Sequence, residues 1–209
     1  MKDIVIVGSS GFAREVKWLI DRINSTRLLW NFVGFIDSHV CNDGVIGNDE
    51  YLYSYPKELN VAVAIADTNL RRRLVALYKR NSLLAFPNLI DPSVIMSNSV
   101  KIGEGNIICA GSILTIDIDM CDFCIVNLDC TIGHGTVLNS FITMNPSVNV
   151  SGQVHLCEGA SIGTGTQIIQ GRCIGMNSII GAGAVVSEDI PRDCTAVGVP
   201  ARVIKDRRK

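Results

Sequence analysis

Ile132-Gly133-His134-Gly135-Thr136-Val137 runs directly into Leu138, and Leu138 opens another stretch of six that ends before Met144. Working outward in steps of six, the same place is held by Ile90, Met96, Ile102, Ile108, Leu114, Met120, Val126, Ile132, Leu138, Met144, Val150, Leu156, Ile162, Ile168, Ile174, Ile180 and Val186. All seventeen consecutive places are aliphatic or Met, which chance does not deliver. Neither the 3.6-residue helical period nor the two-residue strand period produces this spacing. The residue after this anchor is often glycine (Gly103, Gly133, Gly163, Gly175, Gly181), and the fourth place after it is often small, as at Ser112, Cys124, Cys130, Thr136, Ala160, Thr166, Ser178 and Ala184. Each hexad therefore predicts one flat side of a prism, a short strand and then a tight corner, with the anchor pointing inward. Three hexads close a coil. Seventeen hexads make nearly six coils, a stack roughly 27 Å tall at a strand spacing of about 4.8 Å. Threonine ladders of an ice-binding face and Gly-Gly-x-Gly-x-Asp calcium repeats are both missing.

Composition agrees. Of 209 residues, 47% are hydrophobic but only 6% aromatic, a bias toward Ile, Val, Leu and Ala that suits many short strands. The formal charge is −1, so nothing calls for nucleic acid as a partner. The basic residues after Lys205 read as a solvated tail. No apolar run is long enough for a signal peptide or a membrane span, so a cytoplasmic location and no membrane insertion are expected. Eight cysteines in a reducing compartment are expected to be free thiols. Cys121 and Cys124 form a lone Cys-x-x-Cys, and Cys109, Cys121, Cys124, Cys130 and Cys157 fall at small-residue hexad places, which favours structural filler over zinc. No metal is expected.

Before the hexads, Ile4–Val7 reads as a strand, followed by Gly8, Ser9, Ser10, Gly11, Phe12 and Ala13. Arg14 to Asn24 carries Val16, Leu19, Ile20 and Ile23 at helical spacing. Phe32–Ile36 reads as a second strand ending at Asp37, Val61–Ile65 as a third, and Leu70–Tyr78 as a helix that Asp67 or Thr68 can cap. Strand, glycine loop, helix, strand and acid is the order of a mononucleotide-binding unit, whose loop turns backbone N–H groups toward phosphate. Gly8, Ser9, Ser10 and Gly11 are the candidate cradle, and Asp37 is placed to accept from a ribose hydroxyl or a base N–H. One of the three dinucleotide glycines is missing, so NAD is not favoured. The expected architecture is an α/β, Rossmann-like nucleotide-sugar-binding domain over residues 1–88, an all-β left-handed parallel β-helix over 89–190, and a C-terminal tail over 191–209.

The two halves together resemble the bacterial sialic acid O-acetyltransferase family and the related nucleotide-aminosugar N-acetyltransferases of the hexapeptide-repeat superfamily. Val7-Gly8-Ser9-Ser10-Gly11-Phe12-Ala13-Arg14-Glu15-Val16, Val33-Gly34-Phe35-Ile36-Asp37, the hexads and Val197-Gly198-Val199-Pro200-Ala201 carry the resemblance over nearly the whole chain. The resemblance implies a homotrimer, acetyl-CoA as co-substrate lying between neighbouring prisms, and a nucleotide-linked sugar on the N-terminal domain. It implies His134 as general base, with Asn127 also at a family position. Gly152, one coil above His134, matches a backbone N–H that binds the thioester oxygen. Thr164 and Ala182 match backbone contacts to the pantetheine arm. Relatives carry Asp or Glu directly after the histidine; Gly135 stands there, so His134 is expected either to be a weaker base or to be oriented by another group such as Asn127 or Asp129. A second polar position, often histidine, is Thr143.

The expected chemistry is direct attack on the thioester, with His134 taking the proton and Gly152 N–H facing the developing oxyanion. Without the acidic partner, an amine is the favoured acceptor, because it attacks with its own lone pair and sheds its proton late. N-acetylation of a nucleotide-linked amino-deoxysugar is therefore expected ahead of O-acetylation of sialic acid or a related sugar. Cys130 and Cys157 lack a histidine partner in the sequence pattern and are not expected as nucleophiles. A zinc carbonic anhydrase on the same scaffold needs three converging histidines, but His134 and His155 hold different hexad places and His39 lies outside the repeats. A non-catalytic sugar-binding scaffold is the alternative outside enzymology.

Overall fold

The computed structural model describes residues 1–38 and 43–207. His39 lies outside the described residues. The N-terminal part runs β1 (Lys2–Val7), α1 (Gly11–Thr26), β2 (Trp30–Ile36), β3 (Val45–Gly47), α2 (Asp49–Tyr53), β4 (Leu59–Val63), α3 (Thr68–Tyr78) and β5 (Leu84–Ala85). Its strands form one parallel sheet in the order β3-β2-β1-β4-β5, so the winding direction reverses between β1 and β4. Ile4 to Val7 are all buried, the continuous apolar run expected of a central parallel strand. α1 begins at Gly11, three residues before the expected start, and buries Ala13, Val16, Leu19 and Ile20. Asp67 caps α3, its side chain accepting from the Leu70 N–H at 2.7 Å.

From Leu89–Ile90 to Val185–Val186 the chain makes seventeen strands of two residues each. Each pairs in parallel with the strand three hexads away, as Thr131 and Ile132 pair with Asn149 and Val150. The result is a parallel β-helix with three faces. Of these seventeen, face 1, which carries Leu89–Ile90, has six, face 2, which carries Ile95–Met96, has six, and face 3, which carries Lys101–Ile102, has five. The anchors from Ile108 onward are buried, and so is the fourth place after each except Arg172, which makes one continuous core. At the open first coil Ile90 and Ile102 are only partly buried and Met96 is 36% exposed, because no earlier coil covers them. Three residues past the anchor, Asp117, Phe123, Asp129, Phe141, Ser147, Gln153 and Asn177 adopt φ of 55–64°, the left-handed conformation that turns each corner.

Past Ile190, Cys194–Val197 adds another parallel rung to face 1 and Arg202–Asp206 pairs with it antiparallel. The N-terminal part packs on face 1. Leu89, Ile107, Cys109 and Ile125 share one core with Ile4, Ile6, Val16 and Leu19. Arg71 on α3 is the hinge pin of this contact. Its guanidinium donates to the carbonyls of Ile65, Ala66, Phe123, Phe141 and Ile142 and to Thr143 Oγ1. Burial pulls its pKa down to about 10. No helix among the described residues is long and apolar enough to cross a membrane.

Candidate active site

His134 is two residues past Ile132, at the corner between faces 2 and 3. Gly152 stacks over it one coil later, as the spacing predicts. A methyl group placed on Gly152 would lie 2.5 Å from Nε2 of His134, so the imidazole lies flat across that glycine. Gly133 has the same duty beneath: a methyl there would meet the Gly152 nitrogen at 2.6 Å. The N–H groups of His134, Gly152, Thr164 and Ala182 donate to no acceptor among the described residues. The corner thus turns unpaired donors outward, beside an exposed imidazole whose own nitrogens have no hydrogen-bond partner there. That arrangement can take a proton and stabilise an oxyanion within one small volume.

The other expected residues stand elsewhere. Asn127, Thr164 and Ala182 sit at the corner between faces 1 and 2, a full side of the prism away from His134. Asn127 Oδ1 accepts from the Leu128 N–H at 2.7 Å, and neither Asn127 nor Asp129 orients His134 within the chain. Their hexad places contained this information: Asn127 follows an anchor of face 1 and His134 an anchor of face 2, so seven residues of sequence separate two corners. Thr143 is buried on face 1, bonded to Arg71 and to the Ala66 carbonyl, and takes no part in the His134 corner. Gly135, with φ of +66°, holds the left-handed corner place after the histidine.

The glycine-loop residues do converge. Gly8, at φ +96°, needs both its conformation and its bareness, since a methyl would press Ile65 Cδ1 at 3.0 Å and the Ala64 carbonyl at 3.2 Å. Ser9 Oγ donates to Asp37 Oδ2 at 2.7 Å. Ser10 precedes α1 without capping it through its side chain, and no acid lies in the first turn. Gly11 opens on empty space. The free N–H groups of that helix start suit an anion. Beside them lies a cavity of about 260 Å³ lined by Gly8, Asp37, Ser38, Asp49, Ile65 and Leu74 among others. Asp49 is a residue that sequence reasoning missed. It accepts from Tyr78 Oη at 2.5 Å and Ser38 Oγ at 2.9 Å. Burial first, and then that bond, push the Tyr78 phenol well above its ordinary range. The available signal was Asn48, which caps α2 by accepting from Tyr51 N–H.

Residues 3–77 match the PglD N-terminal domain family. Over 98% of its length the chain superposes on the whole of WeeI from Acinetobacter baumannii AYE, with 30% identity and a TM-score of 0.87. It matches perosamine N-acetyltransferase from Caulobacter crescentus, solved with CoA and GDP-perosamine, at 29% identity and TM-score 0.91, covering 99% of this chain and 98% of that one. The chain belongs to the hexapeptide-repeat sugar N-acetyltransferase family. Among curated proteins, the serine acetyltransferase of Synechococcus elongatus is 37% identical over 75 residues, 35% of this chain and 31% of that protein. The chain spans less than half the length of the curated serine acetyltransferases it matches. The chain carries the prism and the glycine loop in one polypeptide, with the N-terminal part packed on face 1.

Proposed function

We propose that the chain is an acetyl-CoA-dependent N-acetyltransferase acting on the amino group of a nucleotide-linked amino-deoxysugar, assembled as a homotrimer with each active site between two chains. The observation that carries this reading is the separation of the parts. The glycine loop and Asp37 belong to the domain on face 1, while His134 is at the corner opposite that face. In this reading a nucleotide sugar cradled at Gly8 to Gly11 and Asp37 of a Rossmann-like domain extends toward the base of a neighbouring chain. A threefold ring in which the corner between faces 2 and 3 meets the next chain's corner between faces 1 and 2 joins them. It also brings Asn127, Thr164 and Ala182 of one chain alongside His134 and Gly152 of the other. The N–H groups of Thr164 and Ala182 then line a pantetheine arm running along left-handed coils.

In this arrangement the amine attacks the thioester carbonyl while Gly152 N–H donates to the oxygen as it gains charge; His134 Nε2 accepts a proton from the newly bonded nitrogen, and as the C–S bond breaks the CoA thiolate leaves and takes that proton. Removing the general base costs roughly 10²–10⁴-fold and removing one oxyanion donor roughly 10²–10³-fold. Coupled thiol release with acetyl-CoA and a panel of nucleotide-linked aminosugars tests the chemistry, and turnover of hydroxyl acceptors alone would replace N- by O-acetylation. Mixing chains tests the architecture. His134→Ala and Asp37→Ala chains, each poorly active at low sugar-nucleotide concentration, are unfolded together in equal amounts and refolded. With sites shared between neighbours, random trimers regain roughly a quarter of wild-type sites. With sites confined to single chains, they regain none.

A further inference from the structure

We propose that His155, Cys157 and Cys173 form a binding site for a zinc-type divalent metal ion, linking two successive coils across face 3. His155 and Cys173 are register partners on adjacent strands, and Cys157 follows His155 by two residues. Leu156 and Ile174 point into the core, so these three side chains all point out. Their ligand atoms lie within 4.8 Å of one another, and the two sulfurs are 3.9 Å apart. That is close to the edge of a tetrahedron around zinc, about 3.8 Å for Zn–S bonds of about 2.3 Å. A disulfide would need the sulfurs at about 2.0 Å. Only the imidazole must swing inward to complete a three-ligand set, and His155 is exposed and able to turn.

Two soft sulfurs and an imidazole select zinc or its neighbours over magnesium and calcium. The fourth position is left to water or to Asp189, whose carboxylate accepts from the Cys173 N–H at 3.0 Å. Burial, with the adjacent Cys157 and Asp189, pushes the Cys173 thiol up to about 11. A dication reverses that balance: two S–H bonds break, two metal–sulfur bonds form, and two protons leave to solvent. The motif escapes a Cys-x-x-Cys search because its third member comes from the next coil.

The test uses the full chain, reduced and freed of metal by a chelator. With Zn²⁺ alone, equilibrium dialysis should show one ion per chain and a raised melting temperature. Co²⁺ should give thiolate-to-metal charge-transfer absorption. Cys157→Ser, Cys173→Ser and His155→Ala should each weaken Zn²⁺ at least tenfold, whereas Cys121→Ser, at an exposed thiol outside the cluster, should not. Because all three ligands are on the surface, each variant's metal-free melt should match the parent, and His155→Gln provides a second variant. Uptake equal in the Cys157→Ser/Cys173→Ser double variant, a cobalt spectrum without the thiolate band, or thiols that form a disulfide while taking no metal would each overturn the proposal.

Discussion

Faces 1 and 2 are built from the same two-residue strands at the same spacing, yet they end differently. Face 1 presents Leu89, Ile107, Ile125 and Thr143 outward, and all four are buried under the chain's own α1 and α3. Face 2 presents Ile95, Ile113, Thr131, Asn149, Gln167 and Val185, and none of these six is buried. Ile95 is 65% exposed, and Ile116 and Ile169 on the neighbouring corner are 52% and 42% exposed. Burying such aliphatic surface is worth about 25 cal/mol per Å², so face 2 gains from a cover that the chain does not supply. The difference teaches where stability and where chemistry are kept. Side chains under face 1 hold one chain together, and side chains at the edges of face 2 meet whatever comes next.

Four substitutions press on that contrast. His134→Ala, at the edge of face 2, should lower kcat by roughly 10²–10⁴-fold, about 3–5 kcal/mol of transition-state stabilisation, while the melting temperature stays put. An unchanged kcat would remove His134 from the chemistry. Arg71→Met, under face 1, should do the converse. Several carbonyls lose their donor inside the contact, and chemical denaturation should show a loss on the order of 4 kcal/mol. A loss below ~1 kcal/mol would mean that face 1 is held by its apolar contacts alone.

Asp91 joins the first coil to α1 by accepting from Arg22 at 2.5 and 2.9 Å. Burial by itself would raise this carboxyl, but the hydrogen bonds from Arg22 and Ser93 overcome it and hold it at about 2. A folded value below the unfolded one, about 3.9, contributes stability above pH ~4 that is lost as pH falls through 2. Asp91→Asn should therefore cost about 2 kcal/mol at neutral pH and nearly nothing at pH 2, read from melts across that range. The smallest effect is expected at Gly135→Asp. Seven other non-glycine corners hold the same left-handed φ, and the added side chain meets only Gln153 Cγ at 3.5 Å. Stability should fall by about 1 kcal/mol, and the acid limb of kcat/KM should move to higher pH, the direction a carboxylate imposes on a neighbouring imidazole.

The prism was legible because its interior admits one anchor per side, and a place that must be aliphatic seventeen times over leaves its mark on the sequence. Met96 is where that logic thins, since an end coil has a neighbour on one side only. The stack of Gly152 on His134 was legible for the same reason, being a matter of counting. β3 and α2 were not, because three and five residues are too few to establish a period, and Asp49 went unnoticed with them. Asn127 follows an anchor of face 1 and His134 an anchor of face 2, so within one chain they stand at different corners, which hexad counting shows and separation in sequence does not.

The strictness of the six-residue repeat has a consequence for how such a chain can change length. Removing one hexad between His134 and Thr164 would rotate every later corner by a third of a turn, and Thr164 and Ala182 would land on the wrong edge. Removing three would take out a whole coil and leave each remaining corner in line. Length variation in this molecule is therefore quantised in whole coils. A corner can still absorb a stray residue as an outward loop, provided that the strands on either side keep their count.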